Sequence, residues 1–165
     1  MSEFTIRPAT ADDIPSIEEL CLESNDIHYG YNAAVYLSAA ETNKPEHTDE
    51  EYTQIFTGPD AKMFVAEVNK KIIGLADCKI YREGTFLRYP FAKLNNLVVT
   101  ASMQSRGHGT KLIQTFHDWA RSQGVTEYRL DVDVYNSRAK ALYDRLGYQV
   151  FTHEMRVDLS NNPHT

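Results

Sequence analysis

The 165-residue sequence predicts an α/β (α+β) fold on three observations. Runs of β-branched and apolar residues at 63–68 and 72–78 flank the short polar turn Asn69-Lys70-Lys71, the pattern of a hairpin. A further run, 94–100, leads through a glycine turn into Leu112, Ile113, Phe116, Trp119 and Ala120 at helical spacing. A second strand, helix, strand alternation then closes the chain.

The elements follow in order. Phe4 to Pro8 alternates for one short strand, and Thr10 caps a run whose Ile14, Ile17, Leu20 and Cys21 recur at helical spacing. Between Asn25 and Pro59 the periodicity loosens. Tyr29, Tyr31, Tyr36 and Leu37 predict a second short helix, and Thr48-Asp49-Glu50-Glu51 reads as a capping box before Tyr52, Ile55 and Phe56. After the hairpin and the glycine turn, Gly124 ends a helix and residues 128–134 alternate as a strand, with Asp131 and Asp133 on one face. Residues 137–146 are helical, Gly147 stops them, and 148–159 supplies a last strand. Residues 1–159 read as one domain, 160–165 as a polar tail, and neither repeat nor linker interrupts them.

Composition narrows the function. Lys and Arg number 17 against 23 Asp and Glu, a net charge of −6, which opposes nucleic acid as a partner and favours a cationic one. No apolar run approaches the ~20 residues of a membrane span, and the first eight residues carry no basic patch followed by an apolar run. A cytoplasmic protein without membrane attachment is the expectation. Cys21 and Cys78 stand far apart and read as reduced, buried thiols, and the six histidines have no metal-ligand spacing, so no metal is expected.

The glycine turn carries the chemistry. Gln104, Ser105, Arg106, Gly107, His108, Gly109 and Thr110 lie between strand and helix, where glycine lets backbone approach a ligand and unpaired helix N–H groups favour phosphate. A plain tight turn is the alternative, since neither a Walker loop nor a dinucleotide turn is spelled out. The wider register runs from Leu97-x-Val99 and Gln104-x-x-Gly107-x-Gly109 to Leu130-x-Val132-x-x-x-Asn136 and Ala139-x-x-Leu142-Tyr143-x-x-x-Gly147-Tyr148. In this register the sequence resembles the GNAT superfamily of acetyl-coenzyme A-dependent N-acetyltransferases, tightly over 94–150 and more loosely over 4–80. Tyr148 stands where that family more often has Phe.

The resemblance implies a mixed, twisted central sheet flanked by helices on both faces. It implies that backbone from Gln104 through Thr110 holds the pyrophosphate of acetyl-CoA, while the strand at Leu97, Val98 and Val99 pairs with the pantetheine arm. Arg106 reads equally as a charge contact or a solvated side chain, and His108 as a spacer. Asn136 is implied to touch the coenzyme near its acyl end, with a helix cap as the alternative. Tyr143 is implied to give a proton to the departing thiolate, with a core tyrosine as the alternative. Homodimerisation is also implied.

Residues 91–100 hold no carboxylate, where many family members carry a glutamate base. Asp77, Asp131, Asp133 or water ordered by Asn95 and Asn96 are the candidates for that role. The acceptor site is expected from Glu23, Asn25, Asp26, His28, Tyr29, Tyr31 and Tyr36, since aromatic walls with carboxylates suit an ammonium ion. Tyrosines packed on the sheet are the alternative. The reaction expected is direct transfer of acetyl from acetyl-CoA to a primary amine of a small molecule. The rival readings are acetylation of a protein lysine or amino terminus, and a non-catalytic acyl-CoA sensor.

Overall fold

The computed structural model describes residues 4–86 and 88–161, the side chain of Asn161 excepted. The first three residues of the amino terminus and residues 162–165 of the tail lie outside the described residues. The strands are β1 Phe4–Pro8, β2 Ala61–Val68, β3 Lys71–Tyr81, β4 Phe91–Val99 and β5 Tyr128–Leu130. The helices are α1 Ile14–Tyr31, α2 Asp49–Thr57, α3 His108–Ser122 and α4 Ser137–Arg145. One compact unit ends at Asp131 and holds the sheet with α1, α2 and α3; a second begins at Val132 and holds α4.

The sheet of the first unit has the order β1-β2-β3-β4-β5. Its first four strands pair antiparallel and β5 runs parallel to β4, so the sheet is mixed, as expected. Alternation along β2 explains its two covered faces. Met63 and Val65 join Ile17, Leu20 and Cys21 of α1 with Leu75 and Val98 in one apolar cluster. Phe64, pointing the other way, meets Trp119 of α3 edge to face. Gly74 likewise lies under Leu112 of α3, where a Cβ would meet the Val98 carbonyl at 2.7 Å. α1 and α3 therefore cover opposite faces.

Local chemistry sets the joints. Asn69 and Lys70 both have positive φ (51° and 65°), the two-residue turn that matches the twist of a hairpin, so Lys71 opens β3 instead of closing the turn. The Thr48 capping box forms as expected: Glu51 N–H donates to the Thr48 hydroxyl, and Thr48 N–H donates to the Glu51 carboxylate at 2.8 Å. Between β3 and β4 the register shifts, with Asp77 opposite Asn96 but Cys78 opposite Leu94, so Asn95 is the extra residue of a bulge.

Three expectations are corrected. α1 runs unbroken to Tyr31 and absorbs Tyr29, so no second short helix forms around Tyr36 and Leu37. The polar stretch 23–26 hid this helix because it interrupts the apolar spacing: Ser24 and Asn25 line a cavity, and Glu23 and Asp26 bond to other segments instead of packing in the core. β5 has three residues, not seven: beyond it Asp133 accepts from Tyr135 N–H at 2.8 Å and bends the chain, while Asp131 pairs with Lys93 at 2.5 Å. Those two aspartates therefore share no strand face. The segment after Gly147 joins no strand among the described residues, and Leu159–Asn161 is a 3-10 turn. Among the described residues the second unit contains no strand that could give it a ladder, and Phe151, Met155 and Val157 are exposed.

Entry into α1 is set by charge. Arg7 on β1 donates to both Asp13 oxygens (2.7 and 2.8 Å) and to both Glu67 oxygens of β2 (3.1 and 3.2 Å), and Asp13 also takes the Thr10 N–H. Asp13 is buried, and the Arg7 hydrogen bonds hold its carboxyl below the ordinary 3.8. Arg7→Met is expected to cost about 1–3 kcal/mol by leaving that carboxylate unpaired. Because the folded pKa is depressed, this contribution is present at neutral pH and lost as pH falls through the folded value. Urea melts of both proteins check this: the gap between them should close in strong acid, and a gap unchanged there refutes the assignment.

Candidate functional site

Strand β4 is bonded to β3 from Phe91 to Val99, yet β5 pairs with it only at Ala92, Lys93 and Leu94. From Asn95 to Val99 its other edge has no strand partner among the described residues. Leu97, Val98 and Val99 lie on this stretch. The chain then leaves the sheet: Thr100 N–H donates to Ile73 O, residues 101–103 make one 3-10 turn, and the Gln104 side-chain amide donates back to Val99 O at 2.8 Å.

Ser105 (φ 59°) and Gly107 (φ 83°) turn the chain through left-handed conformations into α3. A Cβ on Gly107 would meet nothing within 4 Å, so the space before the turn is open. No side chain caps α3, and the N–H of Lys111 is bonded to Gly107 O. The N–H groups of His108, Gly109 and Thr110 thus precede the helical ladder and have no intrahelical acceptor. With the helix dipole behind them they form an anion cradle at the end of a half-open strand. The His108 ring stacks on Phe4 at 4.7 Å, and burial holds its pKa below the ordinary 6.5, so it brings no fixed charge there. Arg106 is exposed.

A cavity of about 500 Å³ lies beside β4, walled by α1, the segment 35–46, and the strand itself. Cys21, Ser24, Asn25 and His28 face it from α1, Tyr36, Thr42, Lys44 and Glu46 from the segment, and Asn96 and Val98 from β4. Of the expected acceptor residues, Asn25, His28 and Tyr36 are brought together here. Glu23 instead accepts from Thr100 Oγ1 (2.8 Å) and Ala101 N–H (2.6 Å), tying α1 to the end of β4. Asp26 accepts from Ala39 N–H at 2.7 Å. Tyr29 and Tyr31 do not line the cavity, and Asn95 is exposed at the bulge.

Sequence reasoning missed Thr42, Lys44 and Glu46, which sit in irregular chain where no periodicity points at a common space. The available signal was the charged run Lys44-Pro45-Glu46-His47 directly before a capping box. This run is pinned at three points. Glu46 N–H donates to the Glu18 carboxylate (3.0 Å), whose Oε1 also takes the Tyr52 hydroxyl (2.5 Å). Glu46 Oε1 accepts from Asn96 Nδ2 at 2.9 Å. His47 Nε2 approaches Asp77 Oδ2 at 3.5 Å, and Asp77 is only 3% exposed on β3.

A model of the acetyltransferase (GNAT) family matches residues 31–148. The chain belongs to the GNAT acetyltransferase family. It is 26% identical over 146 residues to the N-acetyltransferase MJ1207 of Methanocaldococcus jannaschii, covering 88% of this chain and 61% of that one. It is 36% identical over 87 residues to N-alpha-acetyltransferase 30 of Schizosaccharomyces pombe, covering 52% of this chain and 55% of that protein. The chain thus spans between half and two thirds of the length of these two relatives. Its fold is similar to that of a mutant BH1408 protein from Bacillus halodurans, with a TM-score of 0.82 at 20% identity over 94% of this chain and 99% of that one. It is also similar to the aminoglycoside N-acetyltransferase AAC(6')-Iy in complex with CoA, with a TM-score of 0.70 at 18% identity over 96% and 95% of the two chains.

The GNAT segment that ends the family match falls in the second unit. There Asn136 caps α4, its side chain accepting from Ala139 N–H at 3.1 Å, so the cap alternative is realised in this structure. Gly147 (φ 86°) and Tyr148 close the helix, Tyr148 N–H donating to Tyr143 O at 3.0 Å. Tyr143 is 8% exposed, and burial pushes its phenol up to about 12, so it holds its proton at neutral pH. Cys21 in the first unit is likewise pushed up to about 12 by burial and is no thiolate nucleophile. Among the described residues no three His, Cys, Asp or Glu side chains are grouped to hold a metal ion.

His47 should keep its proton above the ordinary 6.5: Asp77 raises it first, burial opposes, and Glu46 and Glu51 add to the rise. Since the folded pKa is raised, the contact stabilises fully below the unfolded value and is lost as pH rises through the folded one. An NMR titration checks this. The His47 midpoint should lie above 6.5 and fall in Asp77→Asn; a midpoint at or below 6.5 in the unmutated protein rejects the pair.

Proposed function

We propose that this chain transfers the acetyl group of acetyl-CoA to a primary amine of a small molecule, with residues 1–159 acting as one domain. The observation that carries the reading is the uncapped α3 N-terminus behind left-handed Gly107, at the end of a strand whose edge is open from Asn95 to Val99. The residues present fit the coenzyme: the N–H groups of His108, Gly109 and Thr110 suit a diphosphate, and the strand edge at Leu97, Val98 and Val99 suits an amide-bearing arm, which it would take as it takes another strand. Acetyl-CoA supplies the activated acyl carbonyl. Strand backbone polarises that carbonyl, and Tyr143 gives its proton to the departing thiolate.

The cavity beside β4 supports a small acceptor, since about 500 Å³ falls within the ~300–1,000 Å³ of small-molecule sites. The CoA-bound aminoglycoside N-acetyltransferase of similar fold supports the same class. Acceptance of a peptide amino terminus is the second reading, and the likeness to N-alpha-acetyltransferase 30 favours it. Release of free thiol from acetyl-CoA, followed across a panel of polyamines, aminoglycosides, amino acids and short peptides, tests both. Turnover of peptides alone would displace the small-molecule reading, and no turnover at all would favour an acyl-CoA sensor.

Two variants test the parts. Gly109→Val should place a branched side chain in the first turn of α3 and lower acetyl-CoA affinity at least tenfold by calorimetry; a folded variant with unchanged affinity removes the phosphate-site assignment. Tyr143→Phe keeps the ring and deletes one proton, so turnover should drop with coenzyme affinity intact. A general acid contributes about 10²–10⁴-fold, and less where the leaving thiol is already acidic, near pKa 8.5. Unchanged turnover of the best acceptor ends the acid role, as does a loss matched by a fall in melting temperature.

A further inference from the structure

We propose that Glu46 is the proton acceptor of the transfer, the carboxylate that takes the ammonium proton before the amine attacks; this rests on the N-acetyltransferase reading above. Strand β4 offers no carboxylate of its own. The other acids around the cavity are already engaged. Glu18 holds the Tyr52 hydroxyl and Glu46 N–H, Glu23 holds the start of the 3-10 turn, Asp26 holds Ala39 N–H, and Asp77 is buried against His47.

Glu46 differs in three respects. It lines the cavity, its Oε1 takes a single neutral donor from Asn96, and its Oε2 accepts no hydrogen bond among the described residues. Its main chain is clamped by Glu18 and its side chain by Asn96, so the carboxylate is fixed at both ends. Asn96 lies two residues past Leu94, the last β4 residue paired with β5, and next to the bulged Asn95. The carboxylate is thus tethered where the open strand edge begins, and a loop delivers what the strand lacks. The other titratable groups facing the cavity are Cys21 and His28 from α1 and Tyr36 and Lys44 from the same segment as Glu46; the lysine ion pairs among the described residues are those of Lys93 and Lys140, not Lys44. His47 is directed to Asp77.

In the step, the ammonium gives one proton to Glu46, which later passes it to water. The nitrogen lone pair forms the C–N bond, the C–S bond breaks with its electron pair going to sulfur, and the nitrogen's second proton balances the one gained by the thiolate. Asn96 is a positioning residue for this carboxylate.

The experiment uses two nucleophiles at pH 7: the panel's best protonated amine, and hydroxylamine, which is already neutral there and needs no base. Glu46→Gln should lower turnover of the protonated amine by about 10²–10⁴-fold and spare hydroxylamine, with acetyl-CoA affinity unchanged. Asn96→Ala, which frees the carboxylate without removing it, should shift the ratio of the two rates in the same direction by less, and it gives an independent answer where Glu46→Gln fails to fold. Equal losses with both nucleophiles, or no loss with either, overturn the proposal. If no panel amine is acetylated by the unmutated protein, the N-acetyltransferase reading fails and this one with it.

Discussion

Strand β4 is paired along one edge at eight residues and along the other at three, and that asymmetry organises the first unit. A strand buried between two neighbours has no backbone left for a ligand; a strand at a sheet edge invites other chains along its whole length. Here pairing with β5 closes the edge at Ala92–Leu94, and the chain beyond Val99 folds into a turn that ends in uncapped N–H groups. An extended polar ligand with an anionic end fits such a surface, because strand edge and helix N-terminus are consecutive in sequence. The bulge at Asn95 falls at the point where pairing with β5 stops, and it re-aims the residues that follow.

The cavity depends on a different device. The segment between α1 and α2 contains no helix or strand, so its own backbone ladder cannot hold it. Side chains replace that ladder: Asp26 and Glu18 each accept a main-chain N–H of the segment, and the Thr48 box starts α2 at its far end. The cost is charge placed near apolar core, most of all at Asp77, which in turn favours the protonated form of the imidazole beside it. A loop held by ion contacts can present a polar group to a small space without filling it, which a close-packed helix at the same place would do.

The first unit was legible to the extent that its elements are periodic. Strands β2 and β3, their turn, the Thr48 box and the amphipathic face of α3 are each written in a few adjacent residues, and each formed where expected. The glycine turn was legible for the same reason, since left-handed Gly107 and the helix behind it are local. What escaped was non-local. Glu23 and Asp26 looked free for an ammonium because sequence does not display the Thr100, Ala101 and Ala39 donors that occupy them. Glu46 escaped because only the three-dimensional pairing with Asn96, fifty residues away, sets it apart from its neighbours. The expected last strand failed differently: alternation is necessary for a strand, but a ladder needs a partner, and among the described residues the second unit has none.

Net charge therefore carries less information about the acceptor than it first implies. A value of −6 steers cations towards the molecule at long range, but within a Debye length of about 8 Å the local groups decide. Around the cavity Glu18, Glu23, Asp26 and Asp77 are committed to backbone N–H groups, hydroxyls and an imidazole, and the carboxylate that lines it, Glu46, shares the lining with Lys44. On the proposed function, selectivity for an ammonium over a neutral amine would then rest on one short contact, not on a field. A single carboxylate with one unbonded oxygen can recognise the charged amine and take its proton with the same atom, because the hydrogen bond that binds the ammonium is already the path of the transfer.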